Sequence, residues 1–376
     1  MHMKSPQTIF VGSLEFRYTA SKISERLGLR PVAVERILII QLRQLGDILL
    51  TTPCIRAVKK ERPKAVVTVL SHAMGRLVLD DCPYMDEHFF YGDGWTWRQQ
   101  MKLARTLRER RFDLVIDFMN NPRSAFYTRV SGAPERVSFR TARRLAYTST
   151  IPLPDTPDYI VRHKFLLLKA AGFKPTDERL ILPWSQAHTQ PFMRFYATTE
   201  RLRQAPLRVA LSPTHRRAVR RWPLAFWAQL AARLVRDWGA AVVWLHGPGE
   251  EEVIDEVMTL CSETTLKAPK TSFRELAALV GNMDLFVGNS NGPSHVAVAG
   301  DVCSLQLHGP TTAQAWCPIN DRHRVVQSPE YVYPEKTARM ETITVERVWS
   351  ELAAMRPVIE ASAQAARVRG PRLSWR

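Results

Sequence analysis

Ile37-Leu38-Ile39-Ile40-Gln41-Leu42 leads through Arg43-Gln44-Leu45-Gly46-Asp47 into Ile48-Leu49-Leu50-Thr51-Thr52-Pro53 and a helical run ending at Arg62-Pro63. An unbroken apolar run of strand length marks a strand buried on both faces, as in a parallel sheet. Gly46 permits a sharp turn, and Asp47 stands where a helix begins, next to unpaired amides and the positive helix end. Ligands of open α/β sheets bind just beyond the carboxyl ends of strands. Asp47 is therefore a candidate for chemistry. The alternative is an N-cap aspartate with no other role.

The same alternation continues outward. Ala65–Leu70, His88–Tyr91 and Asp113–Asp117 are predicted strands, and Trp97–Arg110 is a basic helix. Tyr159–Ala171 is a predicted helix stopped by Gly172. Prolines and polar residues from Pro175 to Pro206 mark an inter-domain region. The pattern then restarts, with strands at Leu207–Leu211, Ala241–Leu245, Asp284–Val287 and Val302–Leu307. A helix is expected over Pro223–Trp238, and Ser272-x-x-Glu275 reads as a capping box before another. Strands alternating with helices predict an α/β fold with parallel sheets. The expected division is an N-terminal extension (1–35), two Rossmann-like domains (36–185 and 206–340), a closing helix (341–360) and a basic, disordered tail (361–376). Within the extension, Ser21–Leu29 could form a short helix.

The 376 residues suffice for two cores. Lys and Arg total 53 against 36 Asp and Glu, a net charge of +17, which points to an anionic partner. Five scattered cysteines show neither zinc spacing nor a disulfide framework, so reduced thiols in the cytoplasm are expected and no metal site. No secretory leader and no membrane span is expected, leaving only a peripheral membrane role. No helix-turn-helix, RNA-binding aromatic motif or zinc finger supports specific nucleic-acid binding.

A second stretch has the form strand, small polar loop, helix: Asp284-Leu285-Phe286-Val287-Gly288-Asn289-Ser290-Asn291-Gly292-Pro293-Ser294-His295. Short side chains let backbone amides approach a ligand, and the following helix end favours a diphosphate. An ordinary βα turn is the alternative. Arg216, Arg217, Arg220 and Arg221 could meet phosphates, or form a solvated basic face. Glu250 could accept ribose hydroxyls, or simply complement a helix dipole. Trp95 and Trp97 could form an acceptor platform, with core filling the simpler reading.

These residues resemble a family. Ile39 to Lys60 is similar to the opening of the ADP-heptose:lipopolysaccharide heptosyltransferases, glycosyltransferase family 9. Val287 to His295 with Gly309-Pro310-Thr311 resembles their carboxyl-half signature. Arg220-Arg221-Trp222-Pro223 resembles their basic-x-Trp-Pro segment, and Asp113 to Arg140 also follows the family pattern. The wording around Asp47 looks closest to a heptosyltransferase III-like branch. The resemblance implies a GT-B fold, with an N-terminal acceptor domain and a C-terminal nucleotide-sugar domain. It implies inverting transfer without a metal or other cofactor from ADP-heptose to a phosphorylated lipopolysaccharide inner core or related glycan, at an anionic membrane surface. Asp47 then matches the catalytic base, and Arg220 stands where the family usually has lysine. Gly46, Thr214, Glu250, Ser290, Asn291, Gly292, Pro293, His295 and Thr311 are expected at the donor, with His295 either a phosphate donor or a packed structural residue. Arg43, Arg123, Ser124 and Arg140 are expected at the acceptor. Ser290 replaces the family's donor-site aspartate. That departure leaves open a differently specific, or non-catalytic, sugar-nucleotide-binding protein.

Overall fold

The computed structural model describes residues 35–335 and 337–374; the expected extension up to residue 34, with its Ser21–Leu29 helix, lies outside them. The first half runs β1 (Arg36–Gln41), α1 (Leu45–Leu49), α2 (Thr52–Glu61), β2 (Val66–His72), α3 (Arg76–Leu79), β3 (Glu87–Tyr91), α4 (Trp97–Glu109), β4 (Leu114–Asp117), α5 (Pro122–Ser131), β5 (Glu135–Phe139), β6 (Ser149–Ile151) and α6 (Ile160–Ala170). Helices α7 (Gln186–Thr198) and α8 (Glu200–Gln204) follow. The second half runs β7 (Arg208–Ser212), α9 (Leu224–Trp238), β8 (Ala241–Trp244), α10 (Glu251–Leu260), β9 (Leu266–Lys267), α11 (Phe273–Val280), β10 (Leu285–Asn289), α12 (Gly292–Ala299), β11 (Cys303–His308), α13 (Ala313–Trp316), β12 (His323–Gln327) and α14 (Val345–Arg369).

Each half builds a six-stranded sheet, ordered β3-β2-β1-β4-β5-β6 and β9-β8-β7-β10-β11-β12, with every pairing parallel. The two orders are the same when each half is numbered from its own first strand. Both reverse direction between the first and fourth strands, the position at which ligands of open α/β sheets bind. The helix that follows β1 carries Asp47 in its first turn, and Ser290–Gly292 lead from β10 into α12. Both predicted sites therefore sit at switch points.

Ile37 to Ile40 are fully buried and alternate between two apolar clusters, Ile37 and Ile39 in one, Leu38 and Ile40 in the other. Each such side chain contributes about 1.5–3 kcal/mol on burial. The two halves also share a polar device. Asp113 Oδ2 accepts from Arg36 N at 2.9 Å, and Asp284 Oδ2 from Arg208 N at 2.8 Å. Each aspartate ties the start of the fourth strand to the start of the first. Asn121 and Asn291 each cap the helix after the fourth strand, accepting from Ser124 N and Ser294 N. The serine hydroxyls are fully buried beneath.

The region at 175–206 lies between the two halves and is packed, whereas the expectation for the tail is corrected. Leu180, Ile181, Leu182 and Trp184 are buried, Ile181 N donates to Thr52 Oγ1 at 2.9 Å, and α7 follows, continuing past its internal Pro191. The basic tail is not disordered through its length, since α14 continues to Arg369 past Pro357. Val348, Leu352, Met355, Ile359 and Ala363 are buried in the second core at helical spacing, which the surrounding arginines obscured. Beyond it, Arg372 N donates to Asn282 Oδ1 at 2.7 Å.

The halves are joined by apolar packing and by one arginine. A single cluster runs from Ile37 and Ile39 to Phe286 and Val296. Arg274 of α11 is 8% exposed and reaches the end of α3. It donates to the Leu77 carbonyl at 3.3 Å, to the Asp80 carbonyl, and to Asp81 Oδ2 at 2.6 Å. Arg274→Ala removes all three and leaves carbonyls facing a void. The expected result is a loss of about 1–3 kcal/mol, read as a lower urea midpoint for the first unfolding transition. An unchanged midpoint would show that the apolar contact alone joins the halves.

Candidate functional site

Asp47 is the third residue of α1, whose N-cap is Gln44. The N-cap reading of Asp47 is thus corrected, because the helix begins two residues before it. The carboxylate is half-buried and accepts no hydrogen bond from any described residue. Burial pushes it above the usual carboxylate range, while Lys164 and then Arg43 pull against that rise. An unpaired, raised carboxylate at a switch point suits a general base. The other acid that ends a strand, Asp117, is fully buried. It accepts from Met119 N, Asn120 N and Tyr147 Oη and serves the turn.

Gly46 has a use that its expected turn does not describe. A Cβ there would lie 2.9 Å from Cδ2 of His295. The His295 ring, on the first turn of α12, therefore packs against the Gly46 backbone of the other half. His295 is buried beside Trp316, and its Nδ1 has no partner. Burial, aided by Lys164, pushes it down to about 4, so it is neutral at pH 7 and keeps one N–H to donate.

Around α12 most polar side chains are already occupied. Asn291 Nδ2 donates to Ser212 Oγ and to the Thr214 carbonyl, both at 3.0 Å, while its Oδ1 caps the helix. Its side chain braces the loop, so the expected donor contact falls to backbone. Pro293 has no N–H, and the Gly292 N–H carries no partner among the described contacts. The Ser290 hydroxyl is unengaged, while its carbonyl accepts from His215 Nε2 at 3.0 Å. Glu250 Oε2 accepts from Thr214 Oγ1 at 2.8 Å and from Gly247 N at 2.7 Å, which leaves Oε1 unbonded. Thr311 Oγ1 is buried without a partner.

Arg220 is half-buried with no acidic partner among the described residues, and burial lowers its pKa, with Arg217 and Arg216 adding to this. An unpaired, partly dry guanidinium is ready for an anion. The neighbouring Trp222 is structural, with Nε1 donating to the Ile343 carbonyl at 2.7 Å and its N–H to Asn289 Oδ1. Arg221 Nε donates to the His215 carbonyl at 2.6 Å.

On the first half, Arg43 and Arg140 are exposed, and Arg123 lies over the Tyr91 ring at 4.8 Å. Ser124 is corrected, since its hydroxyl is fully buried in the Asn121 capping box and is not available to an acceptor. Trp97 is 69% exposed, against the core-filling expectation, whereas Trp95 is half-buried against Gly92. Among the described residues no group of three or more His, Cys, Asp or Glu side chains converges as a metal site would require.

Sequence reasoning missed Lys164. It is 5% exposed, and its ammonium donates to Gln41 Oε1 at 3.1 Å, the Asp47 carbonyl at 2.9 Å and Thr51 Oγ1. The signal was present: Val161, Lys164, Phe165 and Leu168 share the buried stripe of α6, and a lysine on an apolar stripe calls for a partner.

Comparison with known proteins identifies the family. The model of glycosyltransferase family 9 (heptosyltransferase) matches residues 100–343. Lipopolysaccharide heptosyltransferase 3 of Escherichia coli is 25% identical over 289 residues, 73% of this chain and 83% of that protein. A glycosyl transferase family 9 structure from Veillonella parvula superposes with a TM-score of 0.76 at 19% identity, covering 87% of this chain and 99% of that one. The E. coli ADP-heptose lps heptosyltransferase II gives 0.69 at 21% identity, covering 86% and 99%. The two facing Rossmann-like halves are thus a GT-B fold, and the chain belongs to glycosyltransferase family 9.

Proposed function

We propose that this enzyme transfers a heptose, with inversion, from an ADP-heptose-type donor to a phosphorylated lipopolysaccharide core or related glycan. The observation that carries the reading is the pairing of two switch points. An unpaired carboxylate, Asp47, stands at one and an open helix N-terminus at the other, with His295 packed on Gly46 between them. The names of the similar proteins supply the donor and the acceptor class. In this mechanism Asp47 takes the proton of an acceptor hydroxyl as its oxygen bonds to the anomeric carbon. The bond from that carbon to the diphosphate breaks on the opposite face. The leaving diphosphate gains charge beside the Gly292 N–H, the α12 dipole and Arg220. In this reading Glu250 Oε1 takes a ribose hydroxyl, Thr311 a donor oxygen, and Ser290 a sugar hydroxyl. Arg43, Arg123 and Arg140 meet acceptor phosphates.

Asp47→Asn keeps size and removes the base. Product formation is expected to fall by about 10²–10⁴-fold while ADP affinity by calorimetry stays near wild type. In the wild type, kcat/KM should decline as pH falls through the raised Asp47 pKa, since only the ionised form accepts a proton. Full activity in the asparagine variant would exclude Asp47 as base.

Ser290 bears on donor choice, because a hydroxyl brings no charge to the sugar. Ser290→Asp is expected to change the kcat/KM ratio between ADP-heptose and other ADP-sugars. An unchanged ratio would mean that the side chain does not touch the sugar. Binding of ADP-sugars with no turnover on any acceptor tried would favour the non-catalytic reading instead.

The surplus of positive charge supports peripheral docking on an anionic membrane at its cytoplasmic face. Among the described residues no helix is long and apolar enough to cross a membrane. Arg143 and Arg144 are exposed beside Leu145, itself 86% exposed. Co-sedimentation with phosphatidylglycerol-rich vesicles should be lost at high salt; salt-independent binding would count against an electrostatic dock.

A further inference from the structure

The ammonium of Lys164 reaches the Asp47 loop from beneath. Its three N–H donors meet three oxygens, Gln41 Oε1 at the end of β1, the Asp47 carbonyl in α1 and Thr51 Oγ1 before α2. Thr51 Oγ1 also donates to the Asp47 carbonyl at 2.8 Å, so that carbonyl is held twice. Gln41 Nε2 donates to the Arg43 carbonyl at 3.0 Å. The β1–α1 turn is thereby gripped at both ends from α6, which lies over a hundred residues downstream. Phe118 closes the site, its ring centroid 5.5 Å from Nζ.

All three acceptors are neutral. A neutral donor would satisfy such oxygens without the cost of a buried charge. Retaining an ammonium there makes sense if its charge acts on a group nearby, and Asp47, whose carbonyl it holds, bears the carboxylate that its charge pulls down. Resting on the reading of Asp47 as the base, we propose that Lys164 is a positioning residue for transfer. It clamps the backbone that bears Asp47 and sets a buried positive charge beneath the carboxylate.

The other charged and titratable groups around this pair are few. Arg43, between β1 and α1, is exposed. Cys54 of α2 is pushed up to about 12 by burial, so it stays a neutral thiol. Arg56 of α2 pairs with Asp177 at 2.9 Å. His295 of α12 is neutral at pH 7. Arg76 and Asp80, by α3, pair with each other at 3.4 Å, and His72 sits 3.2 Å from Asp93. On β5, which packs on α6, Arg136 Nε donates to the Ala146 carbonyl at 2.8 Å, and Glu135 is half-buried at the strand's amino end. Burial lowers Lys164 to about 8, so the cation is intact at neutral pH and discharges above it.

The test is the pH profile of kcat in Lys164→Met and Lys164→Arg beside wild type, with ADP affinity measured by calorimetry. A nearby cation holds a carboxylate pKa down by about 1–3 pH units. The methionine variant should therefore move the acid limb upward by about one unit or more, with ADP affinity unchanged. The arginine variant should return the acid limb towards wild type and remove the fall in activity near pH 8. Should the methionine variant not fold, Lys164→Gln, which donates without charge, reads the same limb. An acid limb that stays in place in the neutral variants overturns the inference, as does an equal shift in Lys164→Arg. Asp47→Asn separates the two readings. If it is active, the base assignment fails and this inference with it. If it is inactive and the limb does not move, only the role of Lys164 fails.

Discussion

The seat of His295 on Gly46 is the contact on which the site depends. One sheet presents its carboxyl edge with a carboxylate, the other presents its edge with a helix N-terminus. They meet because residue 46 lacks a Cβ, which would lie 2.9 Å from the imidazole. The contact brings the Asp47 stretch of the first half against the first turn of α12 in the second. The continuous apolar cluster and the Arg274 clasp on α3 hold the halves in that relation.

Much of the polar chemistry in the loops serves to keep them in shape. Asn291, Asn289, His215 and Thr214 spend their hydrogen bonds on neighbouring strands and loops. What remains unpaired is correspondingly informative: the Asp47 carboxylate, the Arg220 guanidinium, the Ser290 and Thr311 hydroxyls and the Gly292 amide. Buried polar groups are normally satisfied by the protein itself. These unpaired groups gather at two facing switch points, where ligands of α/β sheets bind.

The duplicated architecture has a physical basis that sequence comparison between the halves does not reveal. Asp113 and Asp284 each join the first strand to the fourth, and Asn121 and Asn291 each cap the next helix over a buried serine. The same backbone geometry needs the same few polar groups, whatever side chains fill the core. Ser124 shows the consequence. Its place in a motif suggested ligand contact, and its hydrogen bonds show that it caps a helix.

The chain order by itself determined the alternating elements, the two parallel sheets, the strand-end location of Asp47 and the small-residue loop before α12. These follow from local periodicity, strand length and glycine placement, which act over a few residues. The family resemblance added the GT-B fold. Local pattern misjudged the tail, because composition hid an apolar stripe that only the second core makes visible. Tertiary structure alone decided that Gly46 seats His295, that Ser124 and Asn291 are spent on caps, and that Lys164 lies beneath Asp47. The first and last of those facts join residues more than a hundred positions apart. They depend on distance and burial in the folded chain, which no short window of sequence contains.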